Sequence, residues 1–204
     1  MPGIVFSHGG IDDSGSIVIV INQKSYVMNV FGADFSTSVG SFGLRGEFAY
    51  RKPTEDYKLR ENIYIPNPDF QYVLGVDKSI GDFSVIGQYV GRFVSDFKEF
   101  QARSLQDSLE STNRMIASQQ DEISHAVLMR PTLALFHETC NLELLGYFNI
   151  STEEWLLRPS LMYNLADALT LKAGVERYYG PDGTLFGNIK DALSSGFVEL
   201  KASF

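Results

Sequence analysis

Period-two alternation of apolar and polar residues runs through almost the whole chain, and the spacing of an amphipathic helix is scarce. From Tyr26 to Val39, Val27, Phe31, Ala33, Phe35 and Val39 share one parity, against Met28, Gly32, Asp34, Ser36 and Ser38. A short VGSFG turn follows. Then Phe42, Leu44, Gly46, Phe48 and Tyr50 fall on one side, with Arg45, Glu47 and Arg51 on the other. Successive side chains of a strand point to opposite faces, so this pattern requires strands with one oily and one polar face.

The pattern continues in hairpins. Phe70–Ser79 and Phe83–Val94 pair across SIGD, with Tyr72, Leu74 and Val76 set against Gln71, Gly75, Asp77 and Ser79. In the last third, LMRPTLALF (Leu128–Phe136) is echoed by LLRPSLMYN (Leu156–Asn164), and each leads through a short turn into an outgoing strand. The final strand sets Val198, Leu200, Ala202 and Phe204 against Glu199, Lys201 and Ser203. This reading gives nine strands, or ten with SIVIVIN at Ser16–Asn22, in one domain over 1–204; residues 1–25 hold an uncertain start and first strand. The fold class is all-β and antiparallel, up-and-down. Polar stretches after Tyr50, around 95–124 and after Tyr179 alternate with tight turns. The 95–124 segment has helical character and reads either as a long extracellular loop or as an inward-folded constriction.

Strands of about ten residues, with tight turns at one end and long loops at the other, are the pattern of a transmembrane β-barrel. Bulk composition does not settle the point. An apolar content of 44% and a mean hydropathy of −0.06 would suit a soluble domain, while the 13% aromatic content is high. A net charge of −8, with no basic cluster, removes the electrostatic footprint of a nucleic-acid binder. The longest apolar runs, such as Ile17–Ile21, fall far short of the roughly 18–20 residues of a spanning helix. The first residues carry no secretory signal pattern.

The two faces differ in kind. The polar face carries ionisable residues in nearly every strand: Asp34, Glu47, Asp77, Glu143, Glu176 and Glu199 against Arg45, Arg92, Arg130, Arg158, Lys172 and Lys201. In a membrane barrel this face lines the lumen and the apolar face meets lipid. The apolar face includes Gly46, Gly87 and Gly146, whose gaps lipid chains would fill. Aromatics gather at strand ends, as in interfacial girdles: Phe42, Tyr50, Phe83, Phe93, Phe148, Trp155, Tyr163, Tyr179 and Phe204.

The segments GADFSTSVGSFGLRGEFAYRKP and NPDFQYVLGVDKSIGDFSVIGQYVGRFV, with the tail running from LRPSLMYNLADALTLKAGVERYYGPDGTLFG to VELKASF, resemble the C-terminal part of large, uncharacterised porin-like outer-membrane β-barrels of Gram-negative bacteria. The resemblance extends from about Tyr26 onward. It implies an outer-membrane location, a signal peptide and further strands upstream, and Phe204 as the residue read by the barrel-insertion machinery. It also implies partners of lipid bilayer and lipopolysaccharide, passage of small solutes, and association into homo-oligomers. If that role holds, Phe204→Asp impairs membrane assembly, read as the folded fraction in membranes, more than it alters channel properties.

Chemistry is sparse by comparison. His137 and Cys140 lie in HETC, but a zinc site wants about four ligands, so a plain hairpin turn is favoured there. His8 and His125 are scattered, and no nucleophile, base and orienter converge, so neither enzyme activity nor a cofactor is expected. Pro131 and Pro159 interrupt strands and call for a bulge or local bend. The inward charges either create a transverse field in an open pore or pair with one another and close it, Arg130 and Arg158 meeting acids such as Glu143 and Glu176. The expected function is a porin-like channel with a mixed-charge lining; the alternatives are a closed structural or adhesive barrel and an outer-membrane hydrolase.

Overall fold

The computed structural model describes residues 2–54, 64–99 and 104–203. Phe204 lies outside the described residues. Their elements are β1 (Pro2–Ile11), β2 (Ile17–Ser25), β3 (Met28–Val39), β4 (Phe42–Pro53), β5 (Asp69–Ile80), β6 (Phe83–Val94), α1 (Leu105–Ala117), β7 (Ile123–Leu135), β8 (Cys140–Asn149), β9 (Glu154–Ala166), β10 (Leu169–Tyr179), α2 (Leu185–Leu193) and β11 (Ser195–Ala202). β1 and β2 form a two-stranded sheet, and β3 to β11 form a nine-stranded sheet in strict sequence order. This is the all-β, up-and-down arrangement the alternation requires.

Among the described residues there are eleven strands, where nine or ten were expected. The missed strand is β1, whose sequence PGIVFSHGGI breaks its alternation at Gly9 and Gly10. The break is an irregularity within the strand: the β1–β2 register shifts between His8 and Ile11, and Gly10 adopts a φ of 102°. Only a residue without a Cβ takes that conformation cheaply at a bulge.

Connection lengths follow from turn chemistry. Gly40 and Gly81 open the two-residue links β3–β4 and β5–β6 with φ of 60° and 56°, as the first position of a II′ hairpin turn demands. The link between β7 and β8 runs through Phe136, His137 and Glu138, all with positive φ, and Glu138 accepts hydrogen bonds at its carbonyl from the Asn141 and Asn164 amides. Residues 95–122 and 180–194 carry the helices. The β8–β9 link is only Ile150–Glu153, so long and short connections do not alternate strictly.

Contacts divide the chain into two compact units. One comprises Met1–Ala33, Phe48–Gln71 and Arg92–Ile123; the other comprises Asp34–Glu47, Tyr72–Gly91 and Ser124–Phe204.

In the second unit the register of β7 to β11 decides which side chains share a face. Glu143 pairs with Thr132 on one side and Ser160 on the other, Ser160 with Gly174, and Gly174 with Phe197. One strand pair away, Leu142 pairs with Leu133 and Leu161, Leu161 with Ala173, and Ala173 with Val198. Both parities therefore run straight across five strands, one apolar throughout and the other passing from Thr132, Glu143 and Ser160 to Gly174 and Phe197. Neither proline shifts them: Met129↔Gly146 and Thr132↔Glu143 stay in step around Pro131, and Leu144↔Pro159 is part of an unbroken β8–β9 register. Of the expected bulge or local bend, no bulge appears at either proline in these pairings, because a missing N–H removes one ladder bond without needing an inserted residue.

Glycines on these strands are seats for aromatic rings. A Cβ on Gly46 would collide with the Phe35 ring, and one on Gly91 with the Tyr72 ring. At Gly174 it would lie 2.7 Å from both Phe197 Cζ and the Pro159 carbonyl oxygen. The space beside Gly46 is thus filled by a neighbouring strand's ring, a glycine–aromatic pairing that pins register; lipid is not needed there. Gly174→Ala forces the Phe197 ring and the β9 backbone apart and should cost about 1–3 kcal/mol, read as a lowered denaturant midpoint of the folded protein.

Candidate functional site

On β7 to β11, the seven ionisable residues singled out from the sequence (Arg130, Glu143, Arg158, Lys172, Glu176, Glu199 and Lys201) share one face. Lys172 stands directly opposite Glu199, and Lys201 opposite Thr170. Arg158 Nε lies 2.8 Å from a Glu176 carboxylate oxygen, and Arg130 Nε 4.0 Å from Glu143. The Arg158 guanidinium also sits 5.0 Å from the centre of the Phe197 ring. In the same unit Arg45 donates to Asp77 at 2.8 Å. Asp34 on β3 and Glu47 on β4 are exposed. The charged face is therefore mixed in sign, and opposite charges on adjacent strands are within reach of one another.

The opposite face is open and largely apolar, with Arg177 standing on it opposite Leu157. Leu142, Leu144, Leu157, Leu161 and Val175 are each 40–43% exposed, and Val198 reaches 76%. A shallow apolar depression of about 830 Å³ lies on this unit, its floor including Pro131, Leu144, Pro159 and Gly196. At one end of the face, Phe148 pairs with Trp155 and Trp155 with Tyr179, whose rings stack at 5.4 Å. A second aromatic series, Tyr72–Tyr89–His125, crosses β5 to β7, with Tyr89 Oη 2.7 Å from His125 Nδ1.

The first unit contains the most deeply buried charge. Asp69, at the start of β5, is 0% exposed. Arg51 Nε and Nη2 donate to its two carboxylate oxygens at 2.8 and 2.6 Å, and Arg92 Nε stands 3.8 Å away. Oriented with its oxygen toward the guanidinium groups, the Gln71 amide accepts from Arg92 Nε at 3.0 Å and Nη2 at 2.9 Å. Gln119, 2% exposed, donates to Asp69 at 3.2 Å and to the Asn67 carbonyl at 2.9 Å. Its own oxygen accepts from the Asn67 N–H at 2.9 Å and the Tyr64 hydroxyl at 3.2 Å. Burial pushes the Tyr64 phenol far above its ordinary pKa, so that hydroxyl keeps its proton. Of the expected lining residues, Arg92 alone belongs to this cluster.

Both helices are gripped at an end by a strand-borne charge of the sign that suits the helix dipole. Arg92 Nη1 donates to the Ala117 carbonyl at 2.9 Å and also to that of Ser118, at the C-terminus of α1. Glu154, 6% exposed, accepts from the Phe186 N–H at the N-terminus of α2 and from the Thr152 hydroxyl. Segment 95–124 is accordingly not a fully solvated loop: Leu109, Asn113 and Gln119 are buried. The stretch after Tyr179, read from sequence as a polar loop, contains α2, started by the Thr184 side chain.

Sequence reasoning passed over Asp69, Gln119 and Glu154. Asp69 and Arg51 had a faint signal, since Arg51 shares parity with Arg45 and Glu47. Gln119 had none, because its partners lie about fifty residues away. Cys140 is buried as a free thiol, and His137 occupies the β7–β8 turn. Among the described residues no group of three or more His, Cys, Asp or Glu side chains is placed to hold a metal ion. Among the described residues no helix is long and apolar enough to cross a membrane, which carries no information about a β-barrel. No protein family, curated protein or solved structure matches the chain.

The two kinds of ion pair should respond differently to mutation. Asp69→Ala leaves two arginines short of a buried partner and should destabilise by about 3–5 kcal/mol. A double-mutant cycle on Arg158 and Glu176, both partly exposed, should return a coupling below about 1 kcal/mol. Denaturant titration of each variant measures both.

Proposed function

We propose that this chain is part of a porin-like outer-membrane β-barrel, which passes small solutes through a water-filled lumen lined by mixed charges. The observation that carries the reading is the inverted distribution of polarity. Among the described residues the buried apolar side chains are Ile65, Val94, Leu109, Ala126 and Cys140, together with Pro53, Pro66 and Pro68. A water-soluble chain of 204 residues would bury far more, since apolar burial is the main term opposing conformational entropy. Here the largely apolar face of β7 to β11, interrupted by Arg177 beside the aromatic row at its end, is exposed while most of the charges face each other. A sheet of that kind is at its lowest free energy with lipid against the oily face and water against the charged one.

The Phe148–Trp155–Tyr179 row supports the same reading, as an interfacial girdle at one end of that face. Lys190 Nζ, 5.9 Å from the Tyr179 ring, is placed to meet headgroups there. The strand order is sequential, and its terminal strands β3 and β11 run in the same direction, since strands alternate along a meander of nine. A wholly antiparallel closed barrel therefore takes an odd number of further strands, consistent with this stretch being one portion of a larger barrel. Transport follows from size exclusion and from the field of Arg45, Arg130, Arg158, Lys172 and Lys201 against Asp77, Glu143, Glu176 and Glu199. Alternating signs give weak ion selectivity. Delivery to the outer membrane engages the barrel-insertion machinery, and loop residues meet lipopolysaccharide.

One set of observations favours a second reading, a closed structural or adhesive barrel. Arg45–Asp77 and Arg158–Glu176 are both paired at 2.8 Å, and such pairs neutralise the lining from within. Planar-bilayer recordings of the full-length protein separate the two. A pore gives discrete conductance steps with a reversal potential near zero in a salt gradient, and Arg158→Glu moves that potential toward cation preference. An absence of events above background, with the protein shown to be folded and inserted, overturns the channel and leaves the structural barrel.

A further inference from the structure

We infer that α1 and the β1–β2 hairpin form one cooperative unit that opens and recloses while the rest of the fold stays intact, with Gln119 and Arg92 as its latch. The inference goes beyond the pore reading and does not depend on it.

Three observations within the first unit carry it. The first is an asymmetry in how the latch is satisfied. On the strand side, Asp69 keeps both bonds from Arg51, and Arg92 keeps Asp69 and the Gln71 amide, whether or not the helix is docked. On the helix side, the contacts include the Arg92 bonds to the Ala117 and Ser118 carbonyls, the four hydrogen bonds of the Gln119 amide, and the Arg114 Nη1 bond to the Lys98 carbonyl at 2.7 Å. Undocking exchanges those neutral and singly charged bonds for bonds to water, and strands no buried ion. A latch whose charged half is complete in both states opens at modest free energy; one that orphans a buried charge does not.

The second observation is that α1 holds its own shape. The Ser104 side chain and Asp107 form a reciprocal capping box at 3.2 and 3.0 Å. Glu110 and Arg114 pair at 2.7 Å one turn apart, and Ser118 takes the left-handed conformation that ends the helix, with the Gln119 N–H returning to the Arg114 carbonyl at 2.8 Å. The helix can therefore leave as a body. Its buried apolar side chain is Leu109, so its docking is polar in character.

The third concerns the hairpin. Among the described residues β1 and β2 pair only with each other, and α1 packs against β1. A two-stranded ribbon is marginal in isolation. Removing α1 withdraws the support of β1, so the two elements open together as a sub-global unit. In the second unit α2 is held differently, by buried Glu154 and by Phe186 against Tyr178 and Tyr147, and is not part of this event.

Hydrogen exchange followed by mass spectrometry on the folded full-length protein tests this. Peptides from 105–119 and from 2–25 should exchange with a common protection, well below that of peptides from 169–202. Gln119→Ala should accelerate both by a similar factor, roughly tenfold, and leave peptides from 169–202 and 185–193 unchanged. Ser104→Ala is the control: it loosens the first turn of α1 without touching the latch, and should leave the hairpin's exchange unaltered. If Gln119→Ala accelerates α1 alone, the coupling to β1–β2 is wrong. If it changes neither segment, or accelerates all peptides equally, there is no separately opening unit.

Discussion

Everything polar in the second unit depends on an unslipped antiparallel ladder. In a sheet, moving one strand by one residue transfers its whole set of side chains to the opposite face. Across β7 to β11, such a slip would carry Arg158 and Glu176 to the oily side and bring Leu157 and Val175 among the charges. The register is held by features that each resist it: Phe197 seated over Gly174, Arg158 reaching Glu176, and short links from β7 through β10. Pro131 and Pro159 are tolerated within that frame because they delete a donor without adding a residue.

Around this frame, the long connections are fastened by charge more than by oil. Arg92 meets the negative end of α1 and Glu154 the positive end of α2, each reaching from a strand terminus to a helix terminus. Apolar contacts join in at single points, Phe186 against Tyr178 and Tyr147 on α2 and the buried Leu109 on α1. Polar fastening has a consequence for dynamics. Hydrogen bonds that water can replace are worth about 1 kcal/mol each, so segments held by them open more readily than segments held by burial.

The alternation made the strands legible because backbone geometry alone imposes period two on them. β4 and β6 could be placed from Arg45–Glu47 and from Phe83 to Val94 without knowing any partner. β1 escaped because Gly9 and Gly10 interrupt the pattern at a bulge that only the pairing with β2 reveals. α2 escaped because LFGNIKDAL, with a glycine and few turns, carries a weak helical signature, and its start is completed by Glu154, about thirty residues earlier. The pairs Arg130–Glu143 and Arg158–Glu176 were within reach of sequence, since the repeated Arg-Pro strands each precede an outgoing strand with an acid on the same face. Arg51–Asp69–Gln119 was not, because three segments meet there that no local pattern connects.

Sequence by itself therefore determined the class of element, the two-faced character of each strand and the residues that share the charged face, all consequences of local covalent geometry and parity. Tertiary structure decided which charges meet, which glycines receive an aromatic ring, and how the helices in the long connections are held. Those outcomes depend on distances between segments far apart in the chain, where burying an ion or a ring is favourable only if its particular partner arrives with it. Asp69 is the clearest instance: an unremarked acid in NPDF becomes the most buried charge among the described residues because Arg51, Arg92 and Gln119 converge on it.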